Sequence, residues 1–104
     1  MKRRLVVRPK ARRDIAEIAD YIAAENLGAA DRFIDEMSEA FSKLALMPHM
    51  GSARRFRRQS LRGLRLWRVP HFEKYLIIYQ PEESAVEVIR VLHGARNIER
   101  LLER

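Results

Sequence analysis

The sequence predicts a small α+β domain, ordered β-α-α-β-β-β, in which a helix hairpin packs on a mainly antiparallel sheet and a short helix closes the C-terminus. Three observations point there. Two early segments carry apolar residues at spacings of three and four, as helices with one buried face require. Three later segments are rich in β-formers and joined by short turn-like stretches, as in an antiparallel meander. The chain has 104 residues, enough for one domain, 1–104, around a single core.

Taken in order, Leu5-Val6-Val7 is a short β-like run ended by Pro9. Ala11, Ile15, Ile18 and Ile22 then share one helical face, with Asp14, Glu17 and Asp20 on the others. Asn26-Leu27-Gly28 breaks this helix. A second helical pattern runs through Ala30, Phe33, Met37, Phe41 and Leu44 and ends before Pro48. The next stretch, HMGSARRFRRQSLRG, has no period and reads as a long arginine-rich connection, a kind of loop that is often functional.

Leu64–Val69, Tyr75–Tyr79 and Val86–Leu92 follow as strands, with turns at Pro70 and at Pro81-Glu82-Glu83-Ser84. Tyr75-Leu76-Ile77-Ile78-Tyr79 is apolar throughout, as a central strand covered on both faces would be. The tail from Ala95 to Arg104 predicts one short helix through Ile98, Leu101 and Leu102. The hairpin is expected to cover Ile77, Ile89 and Val91 on one sheet face. The other face is expected to present Arg65, Arg68 and Arg90 as a basic, partly open surface.

Charge is unevenly distributed. The formal net charge is +7, and seven Lys or Arg fall within residues 1–13. Residues 14–39 carry eight acids against Arg32 alone, and residues 49–72 carry seven arginines and no acid. An anionic partner fits this pattern, either nucleic acid or an acidic protein segment. Arginine suits bidentate contacts to phosphate or carboxylate, although a GC-rich genome would also enrich it. With no cysteine, disulfides and thiol catalysis are excluded. The histidines show no metal-ligand spacing, so neither metal nor cofactor is expected. No apolar run approaches the ~20 residues of a membrane helix, and the basic start lacks the apolar region of a secretory signal. The expected location is the cytoplasm.

Several motifs occur together: A-x-x-D-I-x-x-I-x-x-Y-I from Ala11 to Ile22, N-x-x-A-A-x-R-F from Asn26 to Phe33, and L-A-x-x-P-x-x-G from Leu44 to Gly51. Arg54, the strand K-Y-L-I-I-Y and V-L-H-G-A-R from Val91 to Arg96 complete the set. In this order and spacing the chain resembles the RelE/ParE superfamily of type II toxin–antitoxin toxins, nearest its ParE branch. The resemblance implies one of two activities. RelE-like members cleave mRNA, usually on the ribosome, whereas ParE-like members poison DNA gyrase. A fold alone does not choose between them.

RNA cleavage by internal transfer needs a base, a cation for the phosphorane charge and a proton donor. The residues available for it are His93 as base, Arg65 or Arg68 as phosphate clamp and Tyr79 as proton donor. Where RelE-like enzymes often place a central-strand arginine, this chain has Leu76, and their basic cluster after the last strand becomes Leu92-His93-Gly94-Ala95-Arg96. No catalytic residue is therefore favoured, and the ParE-like reading leads. His93 then becomes a strand-end residue that bonds the backbone, beside a glycine expected to adopt an unusual angle. Trp67 reads as core or antitoxin contact, with stacking on a base at the open face as the alternative.

The resemblance also implies a cognate antitoxin whose disordered C-terminal part folds on the toxin as a hetero-oligomer. Arg65, Arg68 and Arg90 are expected to meet acidic residues of that segment. His93 and Arg96 are expected near the target-facing end, with Ile98, Leu101 and Leu102 as packing or contact. The target expected is DNA gyrase, with ribosome and mRNA as the alternative. A toxin-derived scaffold without toxicity is a third class.

Overall fold

The computed structural model describes residues 2–102. The chain runs β1 (Arg4–Val7), α1 (Pro9–Ala23), α2 (Leu27–Leu46), β2 (Ser52–Ala53), a 3₁₀ turn (Gln59–Leu61), β3 (Arg65–Val69), β4 (Phe72–Pro81), β5 (Ala85–His93) and α3 (Ile98–Leu102). The expected element order holds, with β2 added inside the arginine-rich connection. Glu103 and Arg104, the end of the expected tail helix, lie outside the described residues. None of the described helices is long and apolar enough to cross a membrane.

Local chemistry explains the helix boundaries. Pro9 opens α1 in its first turn, where a missing N–H goes unmissed and the fixed φ suits the helix. Asn26 ends the inter-helix turn and caps α2, its side-chain oxygen accepting from the Ala29 N–H at 3.0 Å. The residues read as a helix breaker thus serve as the next helix's start.

The sheet has the order β1-β5-β4-β3-β2. The pairs β2–β3, β3–β4 and β4–β5 are antiparallel, while β1 joins β5 in parallel with Arg4 opposite Ala85 and Val7 opposite Val88. The hairpin α1–α2 covers one face, where Phe33, Met37, Ala40 and Leu44 meet Ile77, Tyr79, Val86, Val88 and Val91. Phe33 packs edge-on against the rings of Phe72 and Tyr75 at 5.4 and 5.7 Å. Trp67 is half-buried on this side, and its indole N–H is buried without a partner among the described residues.

The far face departs from expectation. Arg68 is exposed on it as expected, but beneath lies a second apolar cluster of Phe56, Leu64, Leu66, Leu76, Ile78, Leu92 and Ile98, with Leu61, Ile89, Leu101 and Leu102 packed against it. The covering residues come from the arginine-rich connection and from α3. Burial on both faces is what the unbroken apolar run of β4 required.

A register shift in β5 explains two further differences. Ile78 pairs with Arg90 and Tyr79 with Val88, so Ile89 is one extra residue in β5, a bulge. Beyond a bulge the alternation of faces changes phase. Ile89 therefore joins the far-face cluster rather than the helix-covered one, and Arg90 turns to α1. Its guanidinium binds Asp14 through Nε at 2.7 Å and Nη2 at 3.0 Å. The expectation of Arg90 on an open face is corrected by this pairing.

Candidate functional site

The segment after β5 is a hydrogen-bonded junction between strand and helix. Gly94 donates its N–H to the Lys74 carbonyl at 2.7 Å, and Arg96 donates to the His93 carbonyl at 3.1 Å. The Ala95 N–H donates to His93 Nδ1 at 3.0 Å. Asn97 then caps α3 by accepting from the Arg100 N–H at 3.2 Å. Gly94 does not use the left-handed region; the glycine that does is Gly63, at φ 95°. The expected unusual angle at Gly94 is thus corrected.

The His93 bond has a chemical consequence. A backbone N–H can only donate, so Nδ1 must offer its lone pair, which leaves the neutral ring's proton on Nε2. In that state neither nitrogen is free to accept a proton from a substrate. The ring also stacks edge-on with Tyr75 at 5.5 Å. His93 is built as a turn-setting residue.

Beside it lies a groove of about 450 Å³ between α1 and the ends of β4 and β5. Asp14, Ile18 and Tyr21 line it from α1, and Lys74, Tyr75, His93 and Arg96 line it from the sheet side. Tyr21 is 75% exposed at the groove's edge. Burial, then the nearby Tyr21, push the Tyr75 hydroxyl above the ordinary tyrosine range. Asp14 is anchored at the groove's base. Besides its two bonds to Arg90 it accepts from the Val91 N–H at 3.0 Å. The bond to Asp14, and then its charge, raise the Arg90 pKa against the lowering effect of burial. Tyr21 and Lys74 were not singled out from the sequence. For Tyr21 the signal was present: Asp14, Glu17 and Tyr21 share a helical stripe next to the apolar one.

On the far face, Arg54 and Arg68 flank a depression of about 250 Å³ with Leu66, Leu76 and Gly94. Arg68 donates to the Glu73 carbonyl at 2.7 Å. Arg65 is not on the open face expected of it. It lies opposite Tyr79 on the helix-covered face and donates from Nη1 to the carbonyls of Gly51, at 2.6 Å, and His49, at 3.3 Å. Tyr79 is fully buried, and its hydroxyl accepts from the Gly51 N–H at 2.8 Å. Burial raises its pKa, opposed by that bond and by Arg65.

The structure therefore brings His93 and Arg96 together, with Lys74, at one groove. Arg68 stands on the opposite sheet face, in the row Arg68–Leu76–Leu92, one row from Tyr75–His93. Arg65 and Tyr79 meet each other at Gly51, in the interior, and Arg90 is paired with Asp14. The four residues available to a ribonuclease reading are spread over three places.

The family model described as ParE toxin of type II toxin–antitoxin system, parDE, matches residues 5–98. Among solved structures, the chromosomal ParDE toxin–antitoxin system from P. aeruginosa superposes with a TM-score of 0.70 at 16% identity, over 88% of this chain and 96% of that one. The toxin–antitoxin complex RelBE2 from Mycobacterium tuberculosis gives a TM-score of 0.59 at 23% identity, over 92% and 95%. No curated protein sequence matches. At these identities the two structures speak to the fold.

Proposed function

The chain belongs to the ParE toxin family of type II toxin–antitoxin systems, and on that premise we propose that it inhibits DNA gyrase without chemistry of its own and is neutralised by a cognate antitoxin. The observation that carries this reading is the dispersal of His93, Arg65, Arg68 and Tyr79. A phosphoryl transfer needs base, cation and acid around one phosphorus. Here Tyr79 is sealed against Gly51, Arg65 is bound to two carbonyls, and His93 and Arg68 face opposite ways.

The groove at the end of β5 suits a protein partner. It combines an exposed ring, Tyr21, with the cations Lys74 and Arg96 and the carboxylate Glu17, the mixture of aromatic anchor and charge found at binding hot spots. Both similar structures are of toxin–antitoxin systems, which supports an antitoxin as one partner in a hetero-oligomer. A paired assay with the free toxin tests the target. One reaction holds gyrase, ATP and plasmid; the other holds translating ribosomes and message. Loss of supercoiling with intact message is expected. Codon-dependent cleavage with unaffected gyrase would replace this reading with that of a ribosome-dependent mRNA endonuclease.

A further inference from the structure

The far face carries a charge pattern that a protein-binding groove on the opposite side leaves unexplained. Phe56 is 3% exposed and anchors the arginine-rich connection into the far-face cluster. Its flanking residues Arg54, Arg55, Arg57 and Arg58 are consequently held outward on this side, all exposed. Arg54 and Arg68 stand over the depression floored by Leu66 and Leu76, and Arg55, Arg57 and Arg62 surround another of about 520 Å³. Among the described residues, no carboxylate lines either depression; Glu99 stands beside the second, accepting from the Arg57 N–H at 3.1 Å.

We propose that this arginine face holds the sugar–phosphate backbone of duplex DNA. Clustered arginines supply the bidentate, sequence-independent grip that phosphates favour. The absence of a stacking platform selects the duplex. Single-stranded nucleic acid is held largely by exposed rings against unstacked bases. Among the described residues, the aromatic lining these depressions is Phe56, which is turned into the core, so only backbone contacts are on offer. An acidic peptide would also meet the charge. However, the buried Leu66 and Leu76 leave little exposed apolar floor for the side chains that give such peptides their affinity. The inference goes beyond the gyrase reading, because it concerns the nucleic acid and holds whichever protein the groove engages.

The test is fluorescence anisotropy of the full-length chain with a labelled duplex of about 20 base pairs and with single-stranded RNA of equal length, across a salt series. Arg54→Glu/Arg68→Glu is compared with Arg12→Glu/Arg13→Glu, an equal change of charge at two exposed positions on α1. Arg54→Glu alone is included because Arg54 is exposed and its loss threatens no packing. Thermal unfolding checks every variant.

The expected result is tighter binding of duplex than of RNA, weakened about tenfold or more by the Arg54/Arg68 reversal and clearly less by the α1 reversal. The slope of log K against log salt should fall by roughly 0.9 for each phosphate no longer neutralised, about two for the pair. Arg54→Glu alone should give about half of that change. Equal losses from the two reversals would overturn the proposal in favour of diffuse charge. Tighter binding of RNA, abolished in the same Arg54/Arg68 variant, would overturn it in favour of a single-strand site. No binding at low salt would overturn it outright.

Discussion

The Gly51 N–H and the Tyr79 hydroxyl are joined by a 2.8 Å hydrogen bond in the interior, and a Cβ at Gly51 would lie 2.6 Å from that same oxygen. The turn after α2 can approach β4 only because residue 51 has no side chain. Gly51→Ala is expected to destabilise the fold by about 1–3 kcal/mol through overpacking. Tyr79→Phe should cost about 1–3 kcal/mol by leaving a buried N–H unpaired. Chemical denaturation measures both. A Tyr79→Phe chain of unchanged stability but without toxicity would point instead to a functional hydroxyl.

Asp14 and Arg90 form a second cross-element tie, with side chains only 11% and 16% exposed. Removing one partner strands the other in a poorly solvated place. Asp14→Ala is expected to lose roughly 2–3 kcal/mol, since bonds to charged groups and to the Val91 N–H go together. Asp14→Ala/Arg90→Met should lose less than the sum of its parts. Additive losses would show that the pair is not coupled.

Acid should loosen the joint between β1 and β5. The bond from Arg8 holds the Glu87 carboxyl below the ordinary glutamate range against the raising effect of burial, helped by a bond with Glu82 and then by the charge of Arg8. A folded pKa below the unfolded one stabilises the protein above the ordinary range, and that contribution is lost as pH falls through the depressed value. Glu87→Gln should therefore melt below the wild type at neutral pH, with the gap closing in acid. The pair is partly exposed, so the effect should shrink in high salt. A gap constant with pH would refute the assignment.

His93 can be tested by separating its bond from its basicity. Asn can accept from the Ala95 N–H but cannot act as a base near neutral pH. His93→Asn is expected to keep most of the inhibition proposed for gyrase, while His93→Ala loses about 0.5–1.5 kcal/mol of stability along with the bond. If Asn abolishes activity as fully as Ala while the fold stays intact, the imidazole does more than set a turn.

The helices were readable because their apolar residues repeat with one period: Ala11 to Ile22 lies within Pro9–Ala23, and Phe33, Met37 and Leu44 are all buried. The central strand was readable from five apolar residues in a row. The cover of the far face was not, because Phe56 and Leu61 come from a stretch dominated by arginine with no period. β2, only two residues long, has no pattern to read. The side taken by Arg90 depended on a one-residue bulge, which alternation counted along the strand does not reveal. At the site, His93 and Arg96 stood out as chemistry-bearing residues close in sequence. Tyr21 and Lys74 reach them only through the fold.

The parallel union of β1 with β5 also sets a timetable. Arg4 has no neighbour in the sheet until Ala85 exists, and the groove lacks a wall until His93 follows. A nascent chain halted before Ala85 has its helical hairpin but neither a completed sheet nor the junction. β5 is 9 residues long, which is about half a second to two seconds of synthesis at roughly 5–20 residues per second. The sheet and the groove are therefore among the last parts of the molecule to be completed, after β5 has left the ribosome.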